Sequence, residues 1–185
     1  MPDSIPMATV IALSEAIREC GVEFAIVGGV AVSLVGRPRF TADVDAVLWE
    51  VDQRLPELIE CLRIKGFHLR SENSMEIARR SRVILLEDEK SIGIDLSMGI
   101  LPFERWMIDG ARWITTESVS IPVASPEALI VMKSIAWRTK DLEDIRELVA
   151  ANPDLDRSVV LGYAEEFFTL LDQPERLTML RDLLA

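Results

Sequence analysis

Asp43 and Asp45 stand two residues apart in Arg39-Phe40-Thr41-Ala42-Asp43-Val44-Asp45, shortly after the diglycine of Val27-Gly28-Gly29-Val30-Ala31. In an extended segment, side chains two apart point to the same face, so both carboxylates project together. Carboxylates are hard oxygen ligands suited to a magnesium-bound nucleoside triphosphate. Two glycines after an apolar run permit a tight strand-to-helix turn whose backbone a phosphate can approach closely. A third acid, Asp95, interrupts the apolar run Ile92-Gly93-Ile94-Asp95-Leu96. An acid with such neighbours is costly to bury unless it is paired or metal-bound. If strand 92–97 runs beside the strand of Asp43 and Asp45, three carboxylates converge, a donor set for two divalent ions and in-line phosphoryl transfer. Blander readings stand beside this one: a D-x-D pair arises as capping or solvated acids, and Asp95 also fits a solvent-facing place in a period-two strand.

The elements that must position these residues follow from periodicity. Val10, Ile11, Leu13, Ala16 and Ile17 have helical spacing, and Gly21 closes that helix. Phe24-Ala25-Ile26-Val27 reads as a buried strand. A short helix is expected from about Val30 to Gly36, stopped by Pro38, with a second strand from about Asp43 through Leu48. Residues 52–65 are amphipathic, with Leu55, Leu58, Ile59 and Leu62 on one stripe. The pattern then alternates: a short strand at Phe67–Arg70, and a hairpin from 82–86 and 92–96 around the polar Glu87–Ser91. Further strands are expected at 111–115 and 119–123. Ser125-Pro126-Glu127 has the order of a helix start, and helices are expected over about 126–137, 141–151, 156–171 and 174–184. The chain thus divides into an α/β core, 1–124, and a helical C-terminal part, 125–185.

Composition narrows the classes. Acids outnumber bases 31 to 20, a net charge of −11, which opposes a broad, salt-driven grip on nucleic acid. Arg37 and Arg39, or the cluster Arg79, Arg80 and Arg82, could still form a local basic patch, or simply solvated faces. No apolar run is long enough to span a bilayer, and Met1-Pro2-Asp3-Ser4 lacks the order of a secretory signal. Cys20 and Cys61, 41 apart and without C-x-x-C spacing, are expected as free thiols in a reducing cytosol, so the chain is expected to be cytoplasmic. The single histidine, His68, has no cysteine companion for zinc, and no Walker pattern or nucleophile elbow occurs.

The G-G-x-A … R-x-T-x-D-x-D pattern with a later strand aspartate resembles the polymerase-beta-like nucleotidyltransferase superfamily. Its bacterial minimal and abortive-infection-type (toxin–antitoxin) members are most similar. The motif covers residues 24–49, extends to 97 with the third aspartate, and matches more loosely in the tail. Many members carry Gly-Ser at the turn where this chain has Gly28-Gly29, and Ser33 lies too far along to restore that hydroxyl. The resemblance implies an α/β (α+β) fold: a polymerase-beta-like core with a mixed sheet, followed by a C-terminal helical bundle. It implies transfer of a nucleoside monophosphate from an NTP to an acceptor hydroxyl on RNA, a partner protein or a small molecule, with Mg2+ or Mn2+ as cofactor. It assigns Asp43 and Asp45 to both metals, and Asp95 to the catalytic metal and the acceptor proton. Gly28 and Gly29 would contact the β/γ-phosphates, Arg39 would be the nearby phosphate cation, and Thr41 would order the loop. Lys133, followed by Arg138, Lys140 and Asp141, matches a lysine that reaches the triphosphate in the abortive-infection-type relatives, whereas a plain lysine extending to solvent is the bland alternative. A toxin-like role with a cognate antitoxin is one expectation, and a nucleotide-binding module without turnover is the alternative.

Overall fold

The computed structural model describes residues 5–116 and 119–185; Met1–Ser4, whose sequence was weighed as a leader, lie outside the described residues. The chain divides into two units. The first comprises the described part of Met1–Val30 together with Arg39–Ala124, and the second comprises Ala31–Pro38 and Ser125–Ala185.

In the first unit, seven strands among the described residues form one mixed sheet: β1 (Phe24–Val27), β2 (Val44–Trp49), β3 (His68–Leu69), β4 (Val83–Glu87), β5 (Gly93–Gly99), β6 (Arg112–Thr115) and β7 (Ser120–Val123). Their order is β3-β4-β5-β2-β1-β7-β6. β1 runs antiparallel to β2 and parallel to β7, whereas β2 runs parallel to β5, with Asp45 opposite Asp95. β4 and β5 form the expected hairpin. Alternation decides the faces. Ile84 and Leu86 of β4, and Ile94 and Leu96 of β5, are fully buried, each removing roughly 1.5–3 kcal/mol of apolar exposure. Gly93, Asp95 and Ser97 occupy the opposite, half-open face of β5.

Helix α1 (Met7–Glu19) buries Val10, Leu13, Ala16 and Ile17, the stripe read from spacing. Helix α2 begins at Gly28 itself (Gly28–Val35), two residues before the expected start, because the glycine turn already has helical hydrogen bonding. Helix α3 (Leu55–Ile64) buries Leu55, Leu58 and Leu62. Two helices had no expectation: α4 (Ser74–Ser81) and α5 (Pro102–Asp109). Each is only eight residues long, so its stripe repeats too few times to stand out from a loop. The start of α5 is held by Glu104, whose carboxylate accepts from the Ile100 and Leu101 N–H groups at 2.7 and 2.8 Å.

One expectation is corrected. Cys20 and Cys61 are not free thiols but a disulfide. Cys20 caps α1, Cys61 lies on α3, and the packing of these helices brings the Cα atoms to 6.0 Å, within bridging range. A separation of 41 along the chain carried no hint of that proximity. The cysteine argument for a reducing compartment falls with it.

The second unit holds α6 (Pro126–Ala136), α7 (Thr139–Ala151), α8 (Arg157–Leu170) and α9 (Glu175–Leu184), with the later turns of α2. Ser125 accepts from the Ala128 N–H at the start of α6, as its residue type suggested. Ile130, Ile145, Leu148, Val160, Ala164, Phe168 and Leu180 form the helical core. Trp137 closes α6 in the left-handed region (φ 53°), edge-on to Phe168 with ring centroids 5.8 Å apart.

Candidate functional site

The site begins where β1 turns into α2. Gly28 has φ +63°, a conformation that costs glycine little and other residues strain. A Cβ at this position would also meet the Asp45 carboxyl, its Cγ 2.5 Å away. Gly28 is therefore required twice, by the backbone and by an acid that lies directly against it. Asp45 pairs with Val27 across β1 and β2, so the antiparallel register delivers its carboxyl to the turn.

The parallel register of β2 and β5 sets Asp95 beside Asp45 on neighbouring strands, where side chains in register share a face. Asp95 is not the buried acid its apolar neighbours suggested. Alternation turns it away from Ile94 and Leu96, and its side chain is 39% exposed. Asp43, just before β2, is exposed and joins the same face: a Cβ at Gly93 would lie 2.6 Å from Asp43 Oδ1. Asp45 thus lies against position 28 and in register with Asp95, and Asp43 lies against position 93.

A residue without any motif signal completes the group. Arg70, immediately after β3, donates from Nη2 to Asp95 Oδ1 at 2.7 Å and to the Leu86 and Ile94 carbonyls at 3.1 and 3.4 Å. Its link to Asp95 depends on the β3–β4–β5 pairing, which no local pattern encodes.

The second glycine packs against the loop ahead of the aspartates. A Cβ on the buried Gly29 would lie 2.6 Å from Thr41 Oγ1 and 3.3 Å from Arg39 Nη2. Thr41 also donates its hydroxyl to the Asp43 carbonyl at 3.3 Å, tying the loop to the first aspartate. Space that a serine side chain would need at position 29 is filled here by the threonine hydroxyl.

Lys133 belongs to the second unit and has a different setting. Its ammonium donates to Asp141 Oδ1 at 3.0 Å and pairs with Asp144 Oδ2 at 2.7 Å, with both carboxylates essentially inaccessible. Arg138 adds a contact from Nε to Asp141 Oδ2 at 2.7 Å. Burial alone would raise the Asp141 carboxyl, but hydrogen bonds from Arg138 and Lys133 outweigh it and hold the group below its ordinary value. Of the second basic cluster, Arg82 is engaged by Asp52 at 2.5 and 2.9 Å, and Arg80 faces Glu76.

A family model described as nucleotidyl transferase of unknown function (DUF2204) matches residues 7–183. The chain belongs to that family. Among curated proteins none matches it in sequence. Among solved structures, the chain resembles the solution structure of the antibiotic-resistance factor ANT(2'')-Ia, with a TM-score of 0.61 and 19% identity over 92% of this chain and 97% of the other. It also resembles a crystal structure of ANT(2'')-Ia in complex with adenylyl-2''-tobramycin, with a TM-score of 0.58 and 20% identity over 92% and 99% of the two chains. These likenesses establish a shared nucleotidyltransferase fold, with the mixed sheet followed by C-terminal helices.

For a member of this family the question is whether its acids suit a divalent cation. The donor chemistry fits: three hard carboxylates share one half-open face, and Gly28 and Gly93 keep it clear of side chains. Among the described residues no three His, Cys, Asp or Glu side chains are gathered as a ready ligand cage. Asp95 Oδ1 is engaged by Arg70 instead.

Proposed function

We propose that this chain transfers a nucleoside monophosphate from a nucleoside triphosphate to an acceptor hydroxyl, using Asp43, Asp45 and Asp95. The observation that carries the reading is the register of β2 on β5, which seats Asp45 beside Asp95 next to the Gly28 turn. Asp43 and Asp45 would hold Mg2+ or Mn2+, and Asp95 would hold the ion nearest the acceptor. When bound, the divalent ions supply charge neutralisation for the triphosphate and acidify the acceptor hydroxyl.

The protein's own groups do the rest. Backbone N–H groups at the start of α2 face the phosphates, at the positive end of the helix. Arg39 adds a cation beside Gly29, and Thr41 presents a hydroxyl in the space a serine would take in the Gly-Ser form of the turn. Asp95, beside Asp45, accepts the acceptor's proton. Rate enhancement comes from positioning and charge stabilisation, without a covalent intermediate.

A small cationic molecule is the acceptor this reading favours. Net charge −11 attracts cations and repels polyanions, and a solved structure sharing the fold holds adenylyl-2''-tobramycin. The test offers each α-labelled NTP with Mg2+ to aminoglycosides, RNA and protein acceptors, comparing wild type with Asp43→Ala. Label moves to the small cationic acceptor with wild type only. Label on RNA or protein alone would replace the acceptor, nucleotide binding without transfer would support a module lacking turnover, and no nucleotide binding would sink the proposal.

A further inference from the structure

Arg70 is a cation in direct contact with Asp95 that the proposed transfer does not use. Its backbone is fixed by the N–H bond to the Leu85 carbonyl at 3.0 Å. Its guanidinium reaches along the sheet to Asp95 Oδ1 and to carbonyls of both β4 and β5. Position 93, two before Asp95 and on the same face, is glycine. A Cβ there would meet Asp43 Oδ1 at 2.6 Å and Arg70 Nη2 at 3.1 Å. The arginine tip therefore touches Asp95 and lies beside the same glycine as Asp43.

Carboxylates crowded on one face repel each other unless a positive charge lies among them. Arg70 supplies that charge from a side chain that is itself 37% exposed, so its pair with Asp95 is weakly held and water can reach it. A divalent cation seeks the same oxygen. We infer that Arg70 is a resident counter-ion of the metal site: its guanidinium and a divalent cation exclude each other at Asp95 Oδ1, and Arg70 thereby sets the metal affinity of the site. This rests on the metal-dependent reading above. Arg70 is a positioning residue, acting through Asp95. Neutralising it removes the competitor at Asp95, so metal binds more tightly.

The test uses the full chain without nucleotide. Mn2+ binding is followed by the loss of the free-ion electron paramagnetic resonance signal, for wild type, Arg70→Gln, Arg70→Lys and Asp45→Asn. Competition with so weak a pair predicts about fivefold tighter Mn2+ binding for Arg70→Gln. The lysine keeps the charge but loses the reach to several acceptors, which predicts about threefold tighter binding for Arg70→Lys. Mn2+ should also raise the melting temperature of Arg70→Gln more than that of wild type. Should the glutamine variant not fold, the lysine variant decides alone. Equal or weaker binding by the Arg70 variants, with binding lost in Asp45→Asn, overturns the role of Arg70 and leaves the nucleotidyl-transfer reading standing. If wild type and Asp45→Asn bind Mn2+ equally poorly, both fall together.

Discussion

Two acid–base clusters in this chain use the same residue types to opposite ends. In the second unit, Lys133, Asp141 and Asp144 are sealed from water, and every charge meets an opposite charge at hydrogen-bond distance. In the first unit, Asp43, Asp45, Asp95 and Arg70 are all reachable from solvent. The first arrangement is closed and electrically satisfied, so it holds helices. The second keeps carboxylates reachable from solvent, where they can meet a cation. The lysine that resemblance placed at a triphosphate has its ammonium committed to α7, whereas an arginine without any motif stands at the aspartates.

Breaking the buried cluster has the largest expected effect on stability. Lys133→Met removes the ammonium shared by the buried Asp141 and Asp144, with Arg138 still on Asp141, a loss of about 3–5 kcal/mol, measured by urea denaturation. A change under about 1 kcal/mol would mean that the cluster is not sealed in solution. Next comes Gly28→Ala, which strains a φ of +63° and drives the Asp45 carboxyl aside, costing about 1–3 kcal/mol of stability and most of the transfer activity.

Acid sharpens the contrast further. Because Arg138 and Lys133 hold the folded Asp141 carboxyl low despite burial, its contribution is complete above its unfolded value near pH 4 and is lost as pH falls through the folded value. Wild type should therefore lose stability along that acid limb, and Asp141→Asn should flatten it from a lower starting point; thermal melts between pH 2 and pH 6 read the difference. The smallest effect belongs to the open face. Arg70→Gln breaks a pair whose members are 37% and 39% exposed and should cost under about 1 kcal/mol. A larger loss would make Arg70 structural.

Much of the fold was legible because its signals are local. The stripe of α1, the buried β1, the β4–β5 hairpin and the Ser125 start of α6 depend on residues a few places apart. The diglycine and the D-x-D pair are local too, and the third aspartate stood out against apolar neighbours. The contrast has a simpler cause than burial. Asp95 is conspicuous because alternation turns it outward, not because it is buried. What stayed hidden depends on distant pairing: the Cys20–Cys61 disulfide needs α1 packed on α3, and the Arg70–Asp95 contact needs three strands in register. α4 and α5 were missed because eight residues give a stripe too few repeats to be told from a loop.

The most direct test of the central claim, that the acids beside Gly28 form one nucleotidyl-transfer site, is the single-turnover rate of label transfer by Asp45→Asn against wild type, with both shown folded by circular dichroism. Loss of an essential carboxylate predicts a fall of about a thousandfold, roughly 4 kcal/mol in barrier. A variant that transfers within about threefold of wild type, under 1 kcal/mol, would contradict it.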